Sequence, residues 1–373
     1  MRTVGLADDR QSLSGLSGLD WGFLAATLLL AAVGLATVHS ASAEMPIDYL
    51  PRQALWVGFG IALFLLAFTI DYHLLVDLSL LVYLLGLALL VVVLFIGVGP
   101  GGTKSWLAVG SFRIGQPAEL AKLGSILFLT RYLSGVERRY LGFKEIFVAT
   151  AIVALPIGLV IAQPDLGTAA MFAPMLLGML LIAGVRLRWL VIAAVLVVGL
   201  AAAGWSVGMK DYQRERVITF LQPETDPLGA GYQVRQSKIA VGSGEVTGRG
   251  YMQGTQSQLR FLPALHTDFI FAVLAEEWGF LGVVATLSLF ALFIFSALRI
   301  AIRARDRAGL LLVVGYVSVF SFHVIYNAGM VVGLLPITGI PVPFLSYGGS
   351  FILLNFVGAG LVLNVDVRRH VNR

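Results

Sequence analysis

The sequence has 373 residues, of which 58% are hydrophobic and only 13% are charged, with a net charge of +5. A mean hydropathy of +0.88 excludes an ordinary soluble domain, in which about 25% of the residues are charged. The absence of cysteine excludes disulfides and thiolate metal sites. The composition therefore predicts an all-α polytopic membrane protein, built as a single domain over residues 1–373.

Apolar runs of about 20 residues, the length that crosses a bilayer, occur ten times along the chain. They cover residues 19–39, 54–70, 74–96, 117–133, 146–162, 166–184, 189–207, 269–298, 309–333 and 347–365. The first run is too long for the core of a signal peptide, so we expect it to be retained. Alternate loops then collect 15 and 11 Lys and Arg residues, and the positive-inside rule places both termini in the cytoplasm.

Residues 97–118 form a glycine-rich loop that is too short for another span. We interpret it as a compact turn, with a re-entrant path as the alternative. Trp106 is either an interfacial anchor, the commoner role of Trp at a bilayer surface, or a platform for substrate. The glycines at 99–102 are not followed by the GKS or GKT of a P-loop, so nucleotide binding has little support. No nucleic-acid partner is predicted.

Charged residues at the start of the fourth and sixth spans have two interpretations each. Glu119 and Lys122 stand three apart and can pair on one helix face, either as a neutral structural pair or as part of a substrate cavity. Asp165 follows Pro164, where the fifth span ends. It either caps the next helix or faces an outer cavity, and the sequence leaves both alternatives open.

Basic residues occur in outer loops where the positive-inside rule disfavours them. Four lie in or beside short loops, namely Arg52, Lys104, Arg113 and Lys122, and seven more lie in the long loop 208–267. Long loops are exempt from the rule, so those seven are either tolerated or functional. Several Lys and Arg residues together suit phosphate oxygens, which predicts an anion site for a lipid-linked phosphate. Alternating apolar and charged residues at 211–221 predict a helix lying in the membrane interface.

The stretch 262–279, LPALHTDFIFAVLAEEWG, places Asp268, Glu276 and Glu277 at the mouth of an apolar helix. A carboxylate at the centre of a bilayer costs roughly 2.5 to 3.5 kcal/mol on insertion scales, so such residues usually face a wet cavity and mark function. Asp268 is the leading candidate. Glu276 lies roughly 12 Å further along a helix, too far to act as the paired acid of an inverting glycosidase, which needs about 6.5 to 9.5 Å.

Residues 334–350 contain three Pro and three Gly between two apolar runs. Proline breaks a helix, and non-helical backbone at the membrane's edge needs a wet cavity or protein cover. In the span before it, His323 and Asn327 stand four residues apart. We expect these two side chains to hydrogen-bond across helices rather than to bind a ligand.

Four strings carry a resemblance to a known family. They are QPAELAKL at 116–123, QPDLGT at 163–168, the segment 227–282 that contains HTDF, and GIPVPFLSYGGS at 339–350. In this order, over nearly the whole chain, they resemble the SEDS family of peptidoglycan polymerases. QSKIA, GTQSQL and QPDLGT are more similar to the elongation branch of that family than to the division branch.

The resemblance implies an inverting glycosyltransferase on the outer face of the bacterial cytoplasmic membrane. It would join lipid II units into β-1,4 glycan and release undecaprenyl pyrophosphate, with Asp268 as the catalytic residue. The outer-cavity residues of the family fall on Arg52, Glu119, Lys122 and Asp165. The substrate site is further predicted to include Lys104, Trp106, Arg113, Gln116, Lys238 and Ser346.

The chain departs from the family pattern at three places. Ala264 stands where LPExHTDF usually has Glu, Glu245 stands where GSGG is usual, and Ser105 replaces a basic residue that often precedes Trp106. These departures affect the predicted loop contacts and leave the predicted reaction unchanged.

The implied partners are lipid II, the undecaprenyl-linked glycan and a class B penicillin-binding protein, a transpeptidase with one membrane span. We expect its helix to pack on the eighth and ninth spans, where Gly309, Gly315 and Ser318 permit close approach. His266 and Asp268 are too few ligands for a metal site, although an Mg or Mn ion bridging Asp268 and pyrophosphate stays open.

Two other functions are compatible with ten spans that contain acidic residues. A lipid flippase or transporter would be expected to carry an inverted internal repeat, which the sequence does not display. A non-catalytic scaffold for the penicillin-binding protein leaves the charges within the spans unexplained.

Overall fold

A computed structural model describes residues 19–99, 103–109, 112–203, 220, 222, 226 and 229–371. The first half contains α1 (Trp21–Ser42), α2 (Leu50–Thr69), α3 (Tyr72–Asp77), α4 (Ser79–Ile96), β1 (Leu107–Val109), β2 (Phe112–Gly115), α5 (Pro117–Ser134) and α6 (Phe143–Ala162). The second half contains α7 (Leu166–Ala170), α8 (Phe172–Ala183), α9 (Leu187–Ala203), α10 (Ala230–Ser243), α11 (Thr255–Gln258), α12 (Ile270–Arg303), α13 (Arg307–Val331) and α14 (Gly349–Val371). The chain is a helical, polytopic membrane protein, as predicted.

The described residues contain helix at each of the ten predicted spans. Eight of these stretches are long and apolar enough to cross a bilayer, with α7 and α8 together forming one of them. The remaining two are α5, which carries Glu119, Lys122 and Arg131, and α9, which has only 17 residues. The topology of ten spans stays a prediction.

The helices differ in how much of their surface is covered by protein. In their most apolar stretches 61% of α13 and 72% of α14 is buried, against 28% of α4 and 22% of α6. Apolar side chains gain little from burial away from lipid, so α4 and α6 can leave Leu and Phe exposed at the periphery. The central helices α13 and α14 carry several polar residues of the interior, namely His323, Asn327, Asn355 and Asn364.

Small residues bring neighbouring helices into close contact, as expected for packing in lipid. A Cβ atom at Gly86 of α4 would lie 2.9 Å from the Cα of Ala121 in α5. One at Gly124 of α5 would lie 2.9 Å from the Cα of Tyr83. Glycine at these positions lets α4 and α5 approach backbone to backbone.

The prediction that small residues of the ninth span accept a partner helix is wrong, because these residues contact other helices of the chain. Gly315 is buried, and a Cβ atom there would lie 2.8 Å from Met179 Sδ. Gly309 is likewise buried against Val365, and Ser318 fills the space beside Gly178. These residues serve the packing of α13 against α8 and α14, because a central helix needs close contacts on several sides.

The predicted eighth span is interrupted near its start. Gly279 has φ +63° and ψ −163°, which divides α12 into a short first part and a long second part. A side chain at Gly279 would collide with the backbone of Gly244 and Gly248, because the segment after α10 packs against the break. The helix predicted at 211–221 lies outside the described residues.

The described part of the glycine-rich loop 97–118 contains two paired β-strands, which its sequence did not predict. β1 and β2 are antiparallel, with Ala108 paired to Arg113 and Val109 to Phe112. Trp106 exchanges backbone hydrogen bonds with Val98 at 2.9 and 3.0 Å. β2 leads directly into α5.

A group of ion pairs ties loops together beyond the far end of α12. His73 lies between two carboxylates, with Nδ1 2.9 Å from Asp71 Oδ1 and Nε2 2.7 Å from Asp306 Oδ2. Arg368 of α14 pairs with Asp71 at 3.0 Å, and the Tyr72 hydroxyl donates to Asp306 at 2.7 Å. We call Asp71, Tyr72, His73, Asp306 and Arg368 the basal cluster.

Candidate active site

Asp268 ends a tight turn that precedes α12. Ala264 begins the turn in the left-handed conformation, with φ +54°, and its carbonyl accepts from the amides of Thr267, Asp268 and Phe269 at 3.1 to 3.3 Å. The Asp268 side chain is half-buried. Burial raises the pKa of this carboxyl from 3.8 to about 6, although a hydrogen bond from Thr267 acts in the opposite direction.

The segment that links α13 to α14 holds this turn in place. Tyr347 N donates to His266 O at 2.8 Å, and Ser346 Oγ donates to Thr267 O at 2.6 Å. The same hydroxyl accepts from Val342 N at 2.8 Å, and Ser346 is fully buried. Ser346, predicted to bind substrate, thus has its hydroxyl engaged by protein and fastens the 266–268 turn to the link.

Arg52 reaches this end of the bundle from the first turn of α2. It is exposed and hydrogen-bonds to Tyr347, whose pKa is nevertheless raised by burial. The Tyr49 ring stacks on His266 with centroids 4.3 Å apart and meets Tyr347 at 4.7 Å. Arg52 therefore contacts an aromatic cluster that includes His266, two residues before Asp268.

Glu119 and Lys122 form a buried ion pair at 2.8 Å, with side chains only 9% and 5% exposed. Lys122 Nζ also lies 3.4 Å from His323 Nε2. A cavity of about 40 Å³ adjoins them, lined also by Tyr316, Phe320, Phe351 and Asn355. It has room for about two or three water molecules.

Gln116 and Asp165, both predicted site residues, are hydrogen-bonded to each other. Gln116 Nε2 donates to Asp165 Oδ2 at 3.1 Å and to Thr168 Oγ1 at 3.0 Å. Asp165 also caps α7, because its Oδ1 accepts from Thr168 N at 3.0 Å. The capping role that the sequence left open is present, and it coexists with a contact to the residue that precedes α5.

The remaining predicted residues lie on separate elements. Lys104 is exposed, and its backbone N donates to Gln163 O at 3.3 Å. Trp106 is half-buried beside Val98, and Lys238 of α10 is exposed and packs on Gly333. Arg113 lies in β2, and its side chain is outside the described part of the chain.

The two glutamates of α12 have structural roles. Glu276 is fully buried and accepts from the backbone amides of Gln256 at 2.8 Å and Ser257 at 3.0 Å, which caps α11. Glu277 accepts from Ser40 Oγ of α1. The carboxylate available for chemistry on this turn is therefore that of Asp268. Within the described residues no three His, Asp or Glu side chains are grouped closely enough to hold a metal ion.

Comparison with known proteins identifies the family. Residues 20–371 match the family model described as cell cycle protein, which covers FtsW, RodA and SpoVE. The chain belongs to this family. The peptidoglycan glycosyltransferase MrdB of Escherichia coli (strain K12) is 42% identical over 287 residues, 77% of each chain.

Solved structures of the same family share the fold. A peptidoglycan synthase complex contains a chain that is 31% identical, with a TM-score of 0.82 and coverage of 94% of this chain and 98% of that one. The rod shape determining protein RodA of Thermus thermophilus is 29% identical, with a TM-score of 0.69 and coverage of 94% and 97%. The predicted membership of the SEDS family is confirmed.

Proposed function

We propose that this protein is a peptidoglycan glycosyltransferase that joins lipid II units into β-1,4 glycan strands and releases undecaprenyl pyrophosphate. Relatives that carry the name peptidoglycan glycosyltransferase support the activity. The observation that carries the chemistry is the Asp268 carboxyl, half-buried with a pKa raised to about 6. A base with a pKa near the working pH is the most effective proton acceptor.

Asp268 takes the proton from the acceptor hydroxyl while the oxygen of that hydroxyl forms a bond to the anomeric carbon of the donor. The bond between that carbon and the pyrophosphate oxygen breaks in the same step, and inversion converts an α-linked donor into a β-linked product. Pyrophosphate leaves as an anion that nearby cations stabilise. Arg52, Lys104 and Lys122 are the described cations assigned to this role.

The proposed location is the bacterial cytoplasmic membrane, with both termini in the cytoplasm and Asp268 facing outward. The support is the excess of Lys and Arg in alternate loops. The basal cluster then lies on the cytoplasmic side. Cell elongation and maintenance of cell shape are the proposed cellular process, because a rod shape determining protein is among the structural relatives.

A class B penicillin-binding protein is the proposed partner, in line with the synthase complex among the relatives. Its helix would pack on the exposed face of α12, which presents Phe280, Leu281, Val284 and Phe295. α13 contributes less to this surface than the sequence suggested, since Gly309 and Gly315 are buried. Crosslinks from the partner's span to α1 and α2 would show that another surface is used.

A divalent metal stays an open proposal for the reaction. Mg²⁺ is usually held by one or two carboxylates together with substrate phosphates, and Asp268 supplies one carboxylate. The described residues at this turn do not form a site by themselves. The steps above therefore use only groups of the protein.

The decisive experiment is to reconstitute the purified protein in liposomes and supply lipid II. Glycan strands longer than the disaccharide, visible on a gel and cleaved by a muramidase, are the expected product. Movement of lipid II between leaflets without polymer would support the flippase instead. Polymer that forms only when an active polymerase is added would support the scaffold.

A further inference from the structure

The central helix α13 carries two buried polar side chains whose contacts leave the helix. His323 is 3% exposed and Asn327 is fully buried. Being four residues apart, they lie on one face of α13. Both face the extended segment around residues 338–342, whose backbone carbonyls are not used by a helix and need donors when buried.

Asn327 joins two distant segments of the chain. Its Nδ2 donates to Ile340 O at 2.7 Å and to Asp268 O at 2.8 Å. An amide group has two N–H donors, and both N–H groups of Asn327 are used. Because both partners are carbonyl acceptors, the nitrogen of the amide, and not its oxygen, must face them. The backbone of Asp268 is thereby held at one distance from the turn at 339–340.

The contacts of the Asn327 amide are made by its two donors. Its other atom, Oδ1, is buried without a hydrogen-bond partner in the described structure. An apolar residue of the same shape would leave the carbonyls of Asp268 and Ile340 without these donors, and an unpaired buried acceptor costs free energy. The side chain therefore acts through what its two donors hold.

The turn that Asn327 fixes faces the carboxylate. Gly339 has φ +72°, and a Cβ atom built on it would lie 3.4 Å from Asp268 Oδ2. His323 holds the next residue of the same turn, because Nδ1 donates to Pro341 O at 2.9 Å. With its proton on Nδ1, Nε2 accepts from Lys122. Hydrogen bonds thus run from the Glu119–Lys122 pair to the turn beside Asp268.

We propose that Asn327 positions Asp268 by fixing its carboxylate against the 339–341 turn, and that His323 connects this turn to Lys122. The proposal rests on the proposed role of Asp268 as base. Positioning matters because a displacement of about 1 Å in a reacting group can cost about 100-fold in rate.

The test compares Asn327→Leu with Asn364→Leu. Asn364 is also buried and also donates to backbone carbonyls, those of Phe68 and Ile70 at 2.6 Å, but it does so at the basal end. Per folded molecule, Asn327→Leu should lower the kcat of lipid II polymerisation at least about ten-fold with KM changed less than about three-fold. Asn364→Leu should lower the unfolding temperature at least as much and keep kcat.

A second measurement follows the carboxyl itself and needs no turnover. A water-soluble carbodiimide modifies protonated carboxyls, so the pH midpoint of Asp268 labelling, read by mass spectrometry, reports its pKa. Ionisable groups of the neighbouring elements are His266, Tyr49, Tyr347 and Arg52, and all four are the same in both variants. In Asn327→Leu the midpoint should fall from about 6 toward 3.8, because the freed carboxyl gains water.

Parental kcat and an unchanged midpoint in folded Asn327→Leu would overturn the proposal, as would equal changes in Asn364→Leu. The role of Asp268 as base and its positioning by Asn327 can be tested separately. If Asp268→Asn polymerises lipid II while Asn327→Leu still moves the midpoint, then the role of Asp268 as base fails and the positioning stands.

Discussion

Carboxylates lie near both ends of α12, and their pKa values are shifted in opposite directions. Asp306 accepts from Tyr72, His73 and the amide of Gly309 at 2.7 Å each. These partners hold its pKa below 3.8 against the effect of burial, and Asp71 is lowered in the same way. Asp268 has the hydroxyl of Thr267 as its partner, and burial raises its pKa to about 6.

The difference separates a structural carboxylate from a reactive one. A carboxylate that accepts several hydrogen bonds is a poor base, because its ionised form is already stabilised. A buried carboxylate with little support takes up a proton readily near neutral pH. Four experiments test this difference.

The largest effect is expected from Asp268→Asn. Loss of the base should lower lipid II polymerisation about 10²- to 10⁴-fold, without lowering the unfolding temperature, because a neutral amide is easier to bury. Asp48→Asn is the matched control, since Asp48 is exposed in the link before α2 and accepts from Leu50 N at 2.9 Å. A near-normal rate from Asp268→Asn would refute its assignment as base.

Lys122→Met tests the buried pair. It leaves Glu119 charged and unpaired inside the bundle, which should cost about 3 to 5 kcal/mol of stability. Combining it with Glu119→Gln removes both charges and should restore the unfolding temperature. If Lys122 serves the substrate, the double variant stays inactive in the polymerisation assay. A folded and active double variant would mean that the pair is purely structural.

Asp306→Asn tests the basal end. The amide can still accept from Gly309 N, but it cannot accept from both Tyr72 and His73 as the carboxylate does. Stability should fall by about 1 to 3 kcal/mol, measured by thermal unfolding, while the rate per folded molecule is kept. A large loss of rate in folded protein would contradict the division between the two ends.

The pH profile compares both ends in one sample. The lowered pKa values of Asp71 and Asp306 mean that their stabilisation is present above 3.8 and is lost as pH falls through the folded values. His73 has a raised pKa, so its stabilisation is full below 6.5 and is lost as pH rises through the folded value.

At pH 5 all three basal contributions are therefore present. Asp268, with a pKa of about 6, is then only about one-tenth ionised, so polymerisation should run about ten-fold slower than at pH 7 without unfolding. Loss of activity that coincides with loss of thermal stability would show that acid acts through the fold.

Sequence reasoning identified the membrane class, the helical fold and the family. Hydropathy determines where helices can cross a bilayer, because every buried backbone group must be paired within its own segment. Prediction from the sequence was least successful where the chain is not a uniform helix. The break at Gly279 depends on contacts with the distant residues Gly244 and Gly248, which no local pattern contains.

The residue types and their spacing predicted which side chains are chemically able to act, namely Asp268, the basic residues and the Glu119–Lys122 pair. How these side chains are held depends on the tertiary structure. Asn327 and His323 looked like ordinary polar residues of a span, whereas they bind the carbonyls beside Asp268. Gly309 and Gly315 of α13 were predicted to form a partner surface and are buried. Burial and hydrogen-bond partners arise from segments far apart in sequence, so they are fixed only when the helices pack.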